Sequence, residues 1–360
     1  MGVGRVLATK SVGCPEVFDC NSYIRMVDDL SYQADIPGHH AMRVVPILLV
    51  RGLLNFGISI ESAFHWVSGT AYVGFGMLSY WVIVRLRNQP LHAFSWALIL
   101  MALHHAMRIP LYLVYSSNDA LVYPIGLAML YLTWRERGHW VFVLGIVGTF
   151  TRQNLFVLGL IMLGYLALTR RGGRRTVLIV EMLVLTASYL LAQSYYHAQG
   201  VIGDLLVPSR SFFSLERQID VLSQSRVLDL GIVLIPFTLF LAKPILSFLK
   251  QNLHWVLYAA IAAGVPYLGF DLVGNNFQRL ALQGVWVIAL AVALSVPTEH
   301  KKFVEVGLLV YALAVFATFG ALPRWGLVGV LILLLGWSRI DMTLDSDGTD
   351  EPSIGDARAT

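Results

Sequence analysis

The sequence predicts an all-α protein, a polytopic transmembrane helical bundle of about 11 spanning helices. Three observations predict it. Of the 360 residues, 57% are hydrophobic and 13% charged, whereas soluble domains carry about 25% charged residues. The mean hydropathy is +0.67. Apolar runs recur along the chain at lengths that, as helices, cover a hydrocarbon core of about 30 Å. They do not alternate polar and apolar residues as lipid-facing strands do, which argues for helices rather than an outer-membrane barrel.

Taken in order, residues 1–60 read as an N-terminal external loop and an interfacial or re-entrant segment. Residues 1–42 contain no apolar h-region, so no cleavable signal peptide is expected. Cys14 and Cys20 would form a disulfide in an oxidising compartment and stay free thiols otherwise. The stretch from Asp19 to Leu53 is rich in acids and histidines, among them His39 and His40, and runs from Arg43 into apolar sequence. Residues 43–60 form an apolar piece interrupted by Arg51 and Gly52.

Residues 61–340 read as the transmembrane domain. Spans are expected near 63–86, 91–115, 119–134, 138–151, 154–169, 176–197, 228–250, 253–271, 277–297, 303–320 and 324–338, each from an apolar run bounded by polar or basic residues. Residues 198–227 are expected to be an external loop in which Phe212, Phe213, Leu215 and Ile219 are spaced for an amphipathic surface helix. Residues 341–360 are polar and acidic and read as a disordered cytoplasmic tail.

Orientation comes from the basic residues. The formal charge of +4 reflects the arginines and lysines of cytoplasmic loops, and no nucleic-acid partner is expected. The strongest cluster, Thr169 to Arg175, is placed in the cytoplasm. Alternation then puts Arg85, Arg87, Arg135, Arg137, Lys243 and Lys250 on that side. The external face receives Asn118 and Asp119, then Arg152 and Asn154, then Asn276 and Arg279, together with the N-terminal stretch if 43–60 does not cross. The expected location is therefore the inner (cytoplasmic) membrane, multi-pass, with an external or periplasmic active face.

Each motif has a bland reading beside the chemical one. Asn118 and Asp119 at a helix start are natural N-caps, yet a carboxylate at a membrane boundary can also hold a metal or a hydroxyl group. Arg152 interrupts apolar sequence, and an arginine there either marks a short turn or binds an anion. Arg279 either snorkels to the outer headgroups or binds an anion. Glu181 lies inside an apolar span and is expected to pair with Arg174 or Arg175. His104 and Arg108 share a helix face, but no metal-ligand motif occurs, nor any phosphate loop or dinucleotide fingerprint.

Together with Asp19, Tyr23, Arg43 and Pro46 (DCNSY followed by MRVVPILL), this pattern resembles the GT-C superfamily of polytopic membrane glycosyltransferases, in its bacterial envelope type. The resemblance covers most of the chain as a topology. It departs at the N-terminus, where nothing upstream of Asp19 is apolar enough to span. The expected form lacks the family's first transmembrane helix, unless the start is truncated or 43–60 crosses the membrane. The resemblance implies a lipid-linked sugar donor, carried on a polyprenyl phosphate or diphosphate. It implies Asp19 as general base with Asp119 second. Tyr23, His40, Arg43, Asn118, Arg152, Asn154, Asn276 and Arg279 would then line the substrate site. No cofactor is called for, although a divalent metal such as Mg or Mn would suit the chemistry. Two other readings stand beside it: a transporter or flippase of a lipid-linked or small anionic substrate, and a non-catalytic membrane scaffold.

Overall fold

The computed structural model describes residues 20–28, 42–103, 117–198, 242–268, 277–295 and 302–318. Among them the chain is all-helical, with no strand. The helices are α1 (Cys20–Asp28), α2 (Val44–Leu54), α3 (Ile60–Arg87), α4 (Pro90–Leu103), α5 (Ser117–Trp134), α6 (Gly138–Thr149), α7 (Gln153–Thr169), α8 (Gly173–Ala198), α9 (Leu253–Leu268), α10 (Phe277–Ser295) and α11 (Lys302–Thr318). Residues 242–251 are helical as well. The expected tail 341–360 and span 324–338 lie outside the described residues, as do residues 199–227 of the expected loop and 228–241 of the span expected at 228–250.

Local chemistry sets the helix ends. The Ser59 side chain accepts from Ser62 N–H and caps α3, satisfying one of the donors a helix start leaves open. At the other end Asn88 adopts φ 53, the left-handed C-cap conformation that asparagine tolerates best after glycine. Pro90 opens α4, where its missing N–H costs nothing. Two helices, Ile60–Arg87 and Gly173–Tyr195, are long and apolar enough to cross a membrane.

The main core is aromatic at its centre. Phe75 of α3 meets Tyr123 of α5 at 5.8 Å and Trp286 of α10 at 5.5 Å, edge to face. Tyr258 of α9 stands against Trp286 at 5.7 Å. These contacts tie four helices that are far apart in sequence, in the offset geometry aromatic rings favour. Small residues bring α6 and α7 together: a Cβ on Gly159 would lie 3.2 Å from the Cα of Gly145. Dispersion contacts of that kind are how apolar helices associate where water provides no driving force.

A second, smaller core holds Tyr23, Met26 and Val27 of α1, Ile47 and Val50 of α2, and Ala63, Phe64 and Val67 of α3. Leu121 of α5 packs against it. Helix α2 has 11 residues, about 16 Å at 1.5 Å per residue. That is half of a hydrocarbon core. It folds back on the first two turns of α3 and stays at one end of the bundle.

The helix pairs fix that end against the other. Trp81 of α3 touches Tyr131 of α5, His139 of α6 touches Glu181 of α8, Tyr165 of α7 touches His254 of α9, and His92 of α4 touches the Ala293 carbonyl of α10. These residues share one end, which also carries Arg85, Arg87, Arg135, Arg137, Arg170 and Lys250. Residues 42–67, 117–121, 148–155 and 189–195 share the opposite end, joined by the second core, by Phe156 stacked on Tyr189 at 4.2 Å and by Gln193 against Met42. Among the described residues, arginines and lysines thus crowd the first end.

Glu181 corrects an expectation. Its partner is His139, whose Nδ1 lies 2.9 Å from Oε1, and not Arg174 or Arg175. Those arginines are six and seven residues away along α8, beyond the i+3 and i+4 positions that meet on a helix surface, and both are exposed. The nearby Arg170 pairs with Glu136 instead.

Candidate functional site

The site is built at the end opposite the basic loops, where α1, α2, α5 and the α6–α7 turn meet. In α1, Tyr23, Met26 and Val27 fall at helical spacing and face the small core. This leaves the Tyr23 hydroxyl at the edge of that core. Arg43 stands at the N-cap of α2 and donates through Nη1 to the Tyr23 hydroxyl. Its guanidinium also lies 5.9 Å from the Tyr23 ring centroid. Arg43 is only 8% exposed, and its Nε is buried with no hydrogen-bond partner among the described residues.

One residue pair joins this element to the α6–α7 turn. The Val45 N–H donates to the Phe150 carbonyl at 3.0 Å. The turn itself is tight. Thr149 and Thr151 hydroxyls donate back to the Gly145 and Val147 carbonyls at 2.7 and 2.8 Å, and Arg152 N–H donates to the Gly148 carbonyl at 2.7 Å. Arg152 is 5% exposed and extended at the start of α7, with φ −163 and ψ 132. Two buried arginines therefore flank one backbone contact, each two residues from it.

Charge arithmetic makes the neighbourhood chemically specific. A guanidinium keeps its proton at any physiological pH and presents a planar fork of donors suited to phosphate or carboxylate. Two such groups at 5–8% exposure are costly unless anionic oxygens face them. The arrangement can hold a phosphate, and charge-assisted hydrogen bonds of that type are the strong ones.

The other expected site residues fall as follows. Asn118 and Asp119 lie in the first turn of α5, next to Ala120 and Leu121, which are packed at this same end. Asn154 is in the first turn of α7, half-buried. Arg279 is in the first turn of α10. The His92 to Ala293 bond holds the last turns of α10 at the basic end, so Arg279, about 21 Å back along the helix, starts from the opposite one. Asp19, His40 and Asn276 lie outside the described residues. Among the described residues, no group of three His, Cys, Asp or Glu side chains gathers as a metal site.

Sequence reasoning passed over Gln193. Its Nε2 donates to Met42 Sδ at 2.7 Å, next to Arg43, and ties the end of α8 to the site. A lone amide in the second half of α8 was the available signal. Comparison with family models finds no match, and comparisons with curated proteins and with solved structures find no significant one.

Proposed function

We propose that the chain is a multi-pass membrane glycosyltransferase of the GT-C type. In this reading it moves a sugar from a polyprenyl-phosphate donor to an envelope acceptor, with the Arg43–Arg152 end facing away from the cytoplasm. The observation that carries the reading is that two buried arginines flank one backbone contact at the end opposite the basic loops. Basic residues favour the cytoplasmic side, so two buried arginines on the other side support an anion-binding role there.

Membrane placement is supported by the exposed surface. Val73, Met77, Leu183 and Leu190 are exposed along the two long helices. Trp66, Phe56 and Tyr195 are exposed towards one end, and Trp81 and Trp140 towards the other. Aromatic side chains at both boundaries of an apolar belt match a bilayer's two interfaces.

The chemistry follows from the residue types. A carboxylate takes the proton from the acceptor hydroxyl as the new bond forms between its oxygen and the sugar's anomeric carbon. The bond from that carbon to the phosphate oxygen breaks, and the phosphate leaves with the electron pair. Arg43 and Arg152 stabilise the charge that develops there. Asp19 is assigned the base and Asp119 the second position. The test is transfer from a radiolabelled polyprenyl-phosphate sugar by membranes containing the full chain. Asp19→Asn should abolish transfer and leave phosphate binding in place. Loss in Asp119→Asn alone would reassign the base, and full activity in both would refute the transferase.

A further inference from the structure

A different corner of the molecule, at the basic end, carries a second surface. Gly138 at the start of α6 abuts Leu178 of α8, and His139 bonds Glu181 one turn further on. Around this contact the acids are already engaged: Glu181 with His139 and Glu136 with Arg170. Arg135 is taken up by Trp134, 5.8 Å from its guanidinium. Arg137, Arg171, Arg174 and Arg175 remain, all exposed. Arg137 adjoins Gly138, and Arg174 lies one turn before Leu178 on the face turned towards α6. The four therefore frame one helix–helix contact rather than being spread along the loops. The starts of α6 and α8 add their positive dipole ends at the same place.

Apolar surface continues directly from this patch. Val177, Val180 and Val184 form an exposed stripe on α8 just beyond Arg174. Trp140, 58% exposed, lies in the first turn of α6. A cationic patch followed by an apolar stripe along α8 matches the order of an anionic phospholipid's parts, from phosphate to acyl chain. A soluble anion would use only the first, and the ammonium of a zwitterionic lipid would offset much of what its phosphate gains from the arginines.

We infer that the α6–α8 corner is a binding site for an anionic diacyl phospholipid, with Arg137, Arg171, Arg174 and Arg175 around its phosphodiester and its chain along Val177, Val180 and Val184. The inference rests on the membrane placement proposed above and not on the transferase chemistry. Each arginine near a membrane surface strengthens such binding about fivefold.

The experiment is native mass spectrometry of the full chain in detergent, titrated with phosphatidylglycerol or phosphatidylcholine. Phosphatidylglycerol should be retained in preference, with a loss of about fivefold for each of R171Q, R174Q and R175Q, while R85Q on α3 leaves retention unchanged. Wild-type protein at high salt should lose the preference, a readout that does not depend on any variant folding. Equal retention of both lipids, or a preference that survives the three variants, overturns this inference alone. An anionic lipid that binds appreciably only after residues 341–360 are removed also overturns it, since the acidic tail is then the occupant. Retention of neither lipid also overturns this inference and leaves the membrane placement to the labelling experiment.

Discussion

The backbone N–H of Val45 donates to the carbonyl of Phe150 at 3.0 Å, and this bond brings Arg43 and Arg152 to one end of the helical bundle. The two residues are 109 positions apart in sequence, and neither lies deep within a helix. Arg43 precedes α2 and Arg152 precedes α7, so both sit where helix-start N–H groups already favour negative charge. The Tyr23 hydroxyl completes the Arg43 side by accepting from Nη1. The fold thus places two buried arginines at the end that the basic loops avoid.

The first prediction concerns sidedness. In a chain whose Cys14 and Cys20 are replaced by serine, F56C and G173C lie at opposite ends of the bundle and both positions are exposed. An impermeant maleimide should label F56C from outside the cell and G173C only after the membrane is opened. Labelling of both from the same side would dismantle the proposed orientation.

Tyr23→Phe keeps the ring in the small core and removes the acceptor for Arg43. The hydrogen bond involves a charged donor and is buried, so the variant should lose about 1.5–3 kcal/mol. Denaturant unfolding in detergent would measure this. A loss below about 0.5 kcal/mol would mean that Tyr23 only packs.

Glycine spacing supports a packing prediction. Gly159→Ala puts a Cβ 3.2 Å from the Gly145 backbone and should cost about 1–3 kcal/mol. Gly164→Ala meets only the Met182 Cε at 3.6 Å, an ordinary contact, and should change stability by no more than about 0.5 kcal/mol. Equal melting temperatures for the two variants would refute the close α6–α7 approach.

Much of the helical architecture could be read from hydropathy, because the polar residues that end a helix also end an apolar run. The expected segment 138–151 became Gly138–Thr149, and 154–169 became Gln153–Thr169. Helix α1 was not anticipated, although Tyr23, Met26 and Val27 at i, i+3 and i+4 were its signal. It is a short apolar stripe in a polar stretch that looked like loop. Arg152 was conspicuous as a charge in apolar surroundings, whereas the Tyr23 bond to Arg43 and the His139 bond to Glu181 join residues 20 and 42 positions apart. No local pattern specifies such pairs. They arise when the small core and the α6–α8 contact close.

The most direct measurement is the affinity of the purified full chain for farnesyl phosphate, compared with farnesol and with the Arg43→Ala and Arg152→Ala variants. Two buried guanidinium groups at one end predict that the phosphate compound binds and the alcohol does not. Each variant should lose about 1.5–3 kcal/mol, a factor of about 10 to 150 in Kd. Equal binding of alcohol and phosphate, or an affinity unchanged by both substitutions, would contradict the assignment of this end as a lipid-phosphate site.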